Sequence, residues 1–202
     1  MQLLLDVAGL KERLKGTPPA FSVYGDDGAG RAELAHTAAS VLVPIVDRAS
    51  GLSVIFTKRT THLKAHSGQV SFPGGRAEPE DPTPEFTALR EAQEEIGLAM
   101  ESVEVLARLP DYHTRTGFRV TPVVGLLTPP LALVPDPREV EEVFEVPLEV
   151  LLDPKNHQRE SREIQGRTVG YYVIRHGERA IWGATAGMVV NLYRQLAAAQ
   201  IE

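Results

Sequence analysis

Glu91, Glu94 and Glu95 follow Arg90 at spacings of one, four and five residues, inside a stretch that reads as helix. On a helix this spacing gathers the three carboxylates on one side. Glu91 and Glu95 form a like-charged i, i+4 pair, which destabilises a helix by roughly 0.2–0.5 kcal/mol unless something neutralises it. A divalent cation would do so. Hard cations such as Mg²⁺ take oxygen ligands, keep several waters and bind through one or two carboxylates plus substrate phosphates. Arg90, four residues before Glu94, can offset one carboxylate but not all of them. The plainer alternative for the same residues is a solvated acidic face.

The helix that must carry these groups is defined by its ends. Thr83 is a good N-cap, Pro84 suits the first helical position, and Glu85 favours the positive end of the dipole. Gly97 supplies the left-handed residue that commonly stops a helix. The spacing predicts that Phe86, Leu89, Ala92, Gln93 and Ile96 pack inward while the glutamates face away. A Gly74-Gly75 turn precedes this helix.

Together, Gly75 and the run Arg90-Glu91-Ala92-Gln93-Glu94-Glu95-Ile96-Gly97 resemble the Nudix box, Gly-x5-Glu-x7-Arg-Glu-U-x-Glu-Glu-x-Gly-U with U aliphatic. The box, about residues 75–98, carries one extra residue in its loop: six steps from Gly75 reach Asp81 instead of Glu, and eight residues then separate Asp81 from Arg90. Asp81 or Glu80 could stand for the loop acid. The resemblance implies a catalytic set of Arg90, Glu91, Glu94 and Glu95, with Glu91, Glu95, Glu94 and the Gly75 carbonyl as oxygen ligands for two or more Mg²⁺ or Mn²⁺ ions.

Upstream, Thr57, Gly68, Phe72, Pro73, Gly74 and Gly75 match in register a motif of the coenzyme A pyrophosphatases within that family, with Lys64 where the motif has arginine. Lysine keeps the charge but lacks the planar fork that grips a phosphate with two bonds. The implied activity is hydrolysis of the diphosphate of coenzyme A or its thioesters to 3′,5′-ADP and 4′-phosphopantetheine. Arg59, Lys64, Gly68, Phe72 and Arg76 are the candidate substrate contacts, with Lys58 beside them. Another nucleoside diphosphate derivative, such as ADP-ribose, a dinucleotide or a damaged nucleotide, remains the alternative substrate. A nucleotide-sensing domain without turnover is the alternative class, although the box acids are all present.

Such a bond resists water because its oxygens repel a nucleophile, so cations that spread the developing charge and acidify a bound water are the economical catalysts. One box glutamate could deprotonate the attacking water, yet a carboxylate engaged with Mg²⁺ is a poor base; Glu139, Glu141 and Glu142 are candidates for such an acid on a later loop, with plain surface charge as the alternative for each. His62 and His66 read as loop histidines rather than a zinc site. The polar stretch Asp111 to Phe118 could contact the adenine or the pantetheine arm.

The sequence's 202 residues, 43% of them hydrophobic and 24% charged, predict one domain over 1–202 with a sizeable core. Residues 1–32 read as an N-terminal helix and loop extension, and Gly25 to Gly30 as a turn. A net charge of −6 argues against a broad grip on nucleic acid or an anionic membrane. With no cysteine there is no disulfide, no thiol nucleophile and no sulfur-ligated metal. The opening Met1 to Leu10 lacks the basic start and cleavage site of a signal peptide, and no run of 18 apolar residues occurs, so the expected location is cytoplasmic.

Helices are expected at Leu3–Leu14, Pro147–Leu152 and Ala184–Ala199. Ala38–Asp47 and Leu52–Lys58 read as a hairpin, followed by strands at Val103–Leu109, Val120–Leu127, Val143–Val146, Val169–Ile174 and Ala180–Trp182. This mixture indicates a mixed α/β (α+β) fold, and the resemblance implies an α/β/α sandwich around a curved mixed β-sheet.

Overall fold

The architecture is seen in a computed structural model that describes residues 3–15, 23–24, 37–61, 68–164 and 166–198. Lys64, His62, His66 and the Gly25–Gly30 turn lie outside the described residues. In chain order the elements are α1 (Val7–Leu14), β1 (Val23–Tyr24), β2 (Thr37–Arg48), β3 (Gly51–Arg59), β4 (Val70–Ser71), β5 (Gly74–Arg76), α2 (Pro84–Ile96), β6 (Val103–Arg108), β7 (Tyr112–His113), β8 (Phe118–Leu127), β9 (Val140–Pro147), α3 (Leu148–Leu151), β10 (Gln158–Ile164), β11 (Arg167–His176), β12 (Arg179–Trp182) and α4 (Ala184–Ala198).

β2 organises the molecule. It runs parallel to β8 from Thr37 to Val46 and forms the expected hairpin with β3. Alternate residues of β2, β3 and β8 enter opposite cores. Leu42, Val46, Ile55, Val123 and Leu127 lie under α2, whereas Val43, Ile45, Val54, Phe56 and Val124 face the layer built from α1, α3 and α4. A sheet buried on both faces explains why these strands read as near-continuous apolar runs. The mixed α+β class and the helix–sheet–helix layering expected from the sequence are present, with a second antiparallel sheet, β10-β11-β12, beside the larger mixed one.

The outer edge of β2 changes partner. Ile45–Arg48 pair with β3, but Ala39–Val41 pair with β5, so the sheet forks between the two. The Gly74-Gly75 segment is therefore a short strand and not the turn expected. Glycine permits this: a Cβ on Gly74 would collide with the Ser40 carbonyl and the Val41 backbone, so the two chains close only because the side chain is missing.

Two other expectations need correction. The first helix begins at Val7 rather than Leu3, because the Asp6 carboxylate accepts the Gly9 amide at 2.7 Å and caps the helix there. In α2, Phe86 and Gln93 are exposed, while Thr87, Ala88, Ala92, Ile96 and Glu95 are buried. The packed face is rotated by roughly a third of a turn from the one expected. Ala88 and Ala92, both fully buried, let the helix lie close on the sheet and bring Glu91 and Glu95 to its edge.

Candidate active site

α2 is fixed as its sequence requires. Thr83 Oγ1 accepts the Phe86 amide, Pro84 occupies the first turn, and Gly97 at φ 66° donates back to Ala92 and Gln93. The chain after it wraps the helix end: Val134 and Asp136 donate their amides to the carbonyls of Ile96 and Glu95 at 2.8 and 2.9 Å. Thr60 then donates its amide to the Glu139 carbonyl at 2.9 Å, which ties this wrap to the end of β3.

These elements place Glu95 and Glu91 around the first two residues of β5. The Glu95 carboxylate accepts the Gly74 amide at 3.2 Å and the Arg59 guanidinium at 3.3 Å. Glu91 lies against Gly75, where a Cβ would strike its carboxylate. Burial pushes Glu95 up to about 7, only partly opposed by Arg59 and the Gly74 N–H, and the charges of Glu139 and Glu91 push the same way. Burial also raises Glu91, against the pull of Arg90. Two acids held near one another with incomplete compensation form a site that favours a cation.

Glu94, expected with them, is the outlying member: its side chain is 60% exposed and held by Arg90 at 3.1 Å. Among the described residues, no group of three His, Asp or Glu side chains is gathered closely enough to hold an ion by itself. A pair of carboxylates completed by water and substrate oxygens is how Mg²⁺ ordinarily binds, so Glu91 and Glu95, beside Gly75, fit that ion or Mn²⁺.

Arg90 is committed to the protein. Its Nε and Nη2 donate to the two Asp81 oxygens at 3.1 and 3.0 Å, Nη2 also reaches the Arg76 carbonyl at 3.0 Å, and Glu91 and Glu94 lie at 3.0 and 3.1 Å. These bonds hold it between the loop and the two glutamates. Asp81 also accepts from Thr87 Oγ1 and the Glu78 amide, and the Arg90 guanidinium holds its carboxyl down to about 2. The extra loop residue thus leaves Asp81 as the anchor of Arg90, with no oxygen turned to a metal.

Beside the carboxylates opens a cavity of about 300 Å³ lined by Arg59, Gly75, Arg76, Val41, Phe118 and Met188 among others. Arg76 lies over the Phe118 ring at 5.3 Å. Of the other expected substrate contacts, Phe72 is buried and stacks on Phe56 at 4.9 Å, which makes it a wall and core residue. Gly68 occupies a turn at φ 67°. The stretch from Asp111 is mostly structural, since Tyr112 is buried and Asp111 accepts from Thr121, leaving Phe118 as its contribution to the cavity.

The NUDIX domain model matches residues 36–165. The chain belongs to the Nudix hydrolases. It is 38% identical to the Nudix hydrolase NudL of Photorhabdus laumondii, itself uncharacterised, over 78% of this chain and 84% of that one. It is 42% identical to the mitochondrial Nudix hydrolase 15 of Arabidopsis thaliana, over 76% of this chain and 56% of that longer protein. Among solved structures, the Nudix hydrolase RenU of M. smegmatis superposes with a TM-score of 0.46 at 25% identity, covering 63% of this chain and 79% of that one. The Nudix assignment makes the substrate a nucleoside diphosphate derivative and the cofactor a divalent cation such as Mg²⁺ or Mn²⁺.

Of the loop acids, Glu141 pairs with Lys58 at 2.7 Å and Glu142 with Arg179, whereas Glu139 lies 3.6 Å from Arg59 and adds its charge to both Glu91 and Glu95. Sequence alone offered all three. The discriminating signal is the β-bulge between Lys58 and Arg59, which turns Arg59 and Glu139 toward the carboxylates and leaves Lys58 with Glu141.

Proposed function

We propose that the protein hydrolyses the diphosphate of coenzyme A or its thioesters to 3′,5′-ADP and 4′-phosphopantetheine or its acyl form. The observation that carries this reading is the cavity beside Glu91 and Glu95, where the Arg59 and Arg76 guanidiniums border an apolar wall of Val41, Phe118 and Met188. A diphosphate bearing a long, weakly polar arm suits that combination, and of the motif residues Phe72, Gly74 and Gly75 line the cavity.

Glu91 and Glu95 would hold Mg²⁺ or Mn²⁺, helped by Glu94 and the Gly75 carbonyl. When bound, such an ion offsets the diphosphate charge and lowers the pKa of a coordinated water. The remaining work falls to the chain. Arg59 and Arg76 orient the diphosphate, the apolar wall takes the arm, and Glu139, half-exposed on its loop, is the carboxylate placed to accept the proton of the attacking water. Arg90 and Asp81 hold the helix and loop in the geometry these groups need.

The test is a panel of coenzyme A, acetyl-coenzyme A, ADP-ribose, diadenosine polyphosphates and oxidised nucleoside triphosphates, each with Mg²⁺ or Mn²⁺. Release of 3′,5′-ADP from the coenzyme A compounds with the largest kcat/KM is the expected outcome. Cleavage of ADP-ribose with coenzyme A untouched would reject it.

A further inference from the structure

Arg59 is held differently from the other half-buried arginines that face acids. Arg48 forms a fork on Glu145 with contacts of 2.5 and 3.2 Å, and Arg90 forms one on Asp81 at 3.0 and 3.1 Å. Arg59 instead makes single, long approaches, 3.3 Å to Glu95 and 3.6 Å to Glu139, while also lining the substrate cavity. Its backbone is pinned, with its amide donating to the Gln69 carbonyl at 3.0 Å, so a change of partner needs only side-chain rotation.

We propose that the Arg59 guanidinium is an exchangeable counterion: it neutralises Glu95 and Glu139 until a divalent cation binds, and its displacement turns it onto the diphosphate of the substrate. The inference rests on the diphosphatase reading above. A guanidinium and a divalent ion compete for the buried Glu95 carboxylate and repel one another at this range. The adjoining cavity receives the freed charge, where a planar fork can grip phosphate oxygens with two bonds. The cation then prepares the diphosphate subsite as well as the chemistry, and productive binding is ordered, cation first.

The experiment titrates Mn²⁺ into the substrate-free full chain as wild type, R59Q and R59K, reading free Mn²⁺ by electron paramagnetic resonance. Methylene diphosphonate is then titrated into each protein at saturating Mn²⁺. R59Q is expected to bind Mn²⁺ at least threefold more tightly than wild type, yet to bind the diphosphonate at least tenfold more weakly. R59K should stay near wild type for Mn²⁺ and lose diphosphonate affinity. Should R59Q fail to fold, the wild type supplies the answer by NMR: the Arg59 Nε–H resonance, assigned by its absence in R59K, shifts on adding Mg²⁺ alone. Equal or weaker Mn²⁺ binding in folded R59Q, or an unmoved Arg59 resonance at saturating Mg²⁺, overturns the exchange while leaving the diphosphatase reading intact. Absence of Mn²⁺ binding in every protein sinks both.

Discussion

Glu95 pays for its place at the sheet edge with its charge. In the ion-free protein its folded pKa of about 7 exceeds the ordinary 4.5, so the folded state binds the extra proton between those values. Stability from this group therefore falls as pH rises from about 4.5 to 7, by up to roughly 3 kcal/mol. Glu95→Gln should flatten that slope and raise the ion-free Tm at pH 8, while lowering kcat at least about a hundredfold; calorimetry and a turnover assay check the two halves. Asp81 behaves oppositely. Its carboxyl is depressed to about 2 by Arg90, so its contribution is present above 3.8 and is lost as pH falls toward 2. Asp81→Asn should cost about 2 kcal/mol at pH 7 in denaturant unfolding and nearly nothing at pH 2. Gly75→Ala should leave Tm within a few degrees, since the clash is with the flexible end of Glu91, but displace that carboxylate and abolish most activity. That Glu91 and Glu95 lie side by side was legible in the sequence, because an i, i+4 spacing alone sets it, whereas the outward turn of Glu94 was not. The pairing of Asp81 with Arg90 was not, since it depends on how the loop folds back on the helix, nor was the approach of Glu139 to Arg59, which joins segments far apart in the chain.

At the scale of the element, α2 shows what local rules reach. Thr83, Pro84 and Gly97 fix both ends where capping chemistry puts them. Gly97→Ala should cost about 1–2 kcal/mol in thermal or denaturant unfolding, because φ is positive and the new methyl would press on Val134. The packed face was misread because hydrophobicity marked Phe86, whereas the sheet accepts the small Ala88 and Ala92 and takes Glu95 with them. A wheel scores polarity; the sheet selects for close approach. β5 was illegible for a related reason, since two glycines read as a turn until Val41 is found beside them.

For the whole molecule, the strands of β2, β3 and β8 were readable as apolar runs and the β2–β3 hairpin as their link, yet the parallel pairing of β2 with β8 was not, because it joins segments far apart in the chain. The wrap from Val134 to Glu139 joins α2 to β3 and makes the acids part of the fold's stability. Saturating the protein with Mg²⁺ at a hundred times its Kd should therefore add about 2.7 kcal/mol, or roughly 5–10 °C in Tm. Glu91→Gln should abolish that increment in scanning calorimetry, and an equal rise in the variant would remove Glu91 from the ion site. The amide of Gly74, lodged in the fork of the sheet and resting on Glu95, offers one more use. Its nitrogen–proton resonance is a native sensor of whatever charge settles on that carboxylate, so a spectrometer can follow the ion's arrival residue-specifically, with no dye, label or nucleotide in the tube.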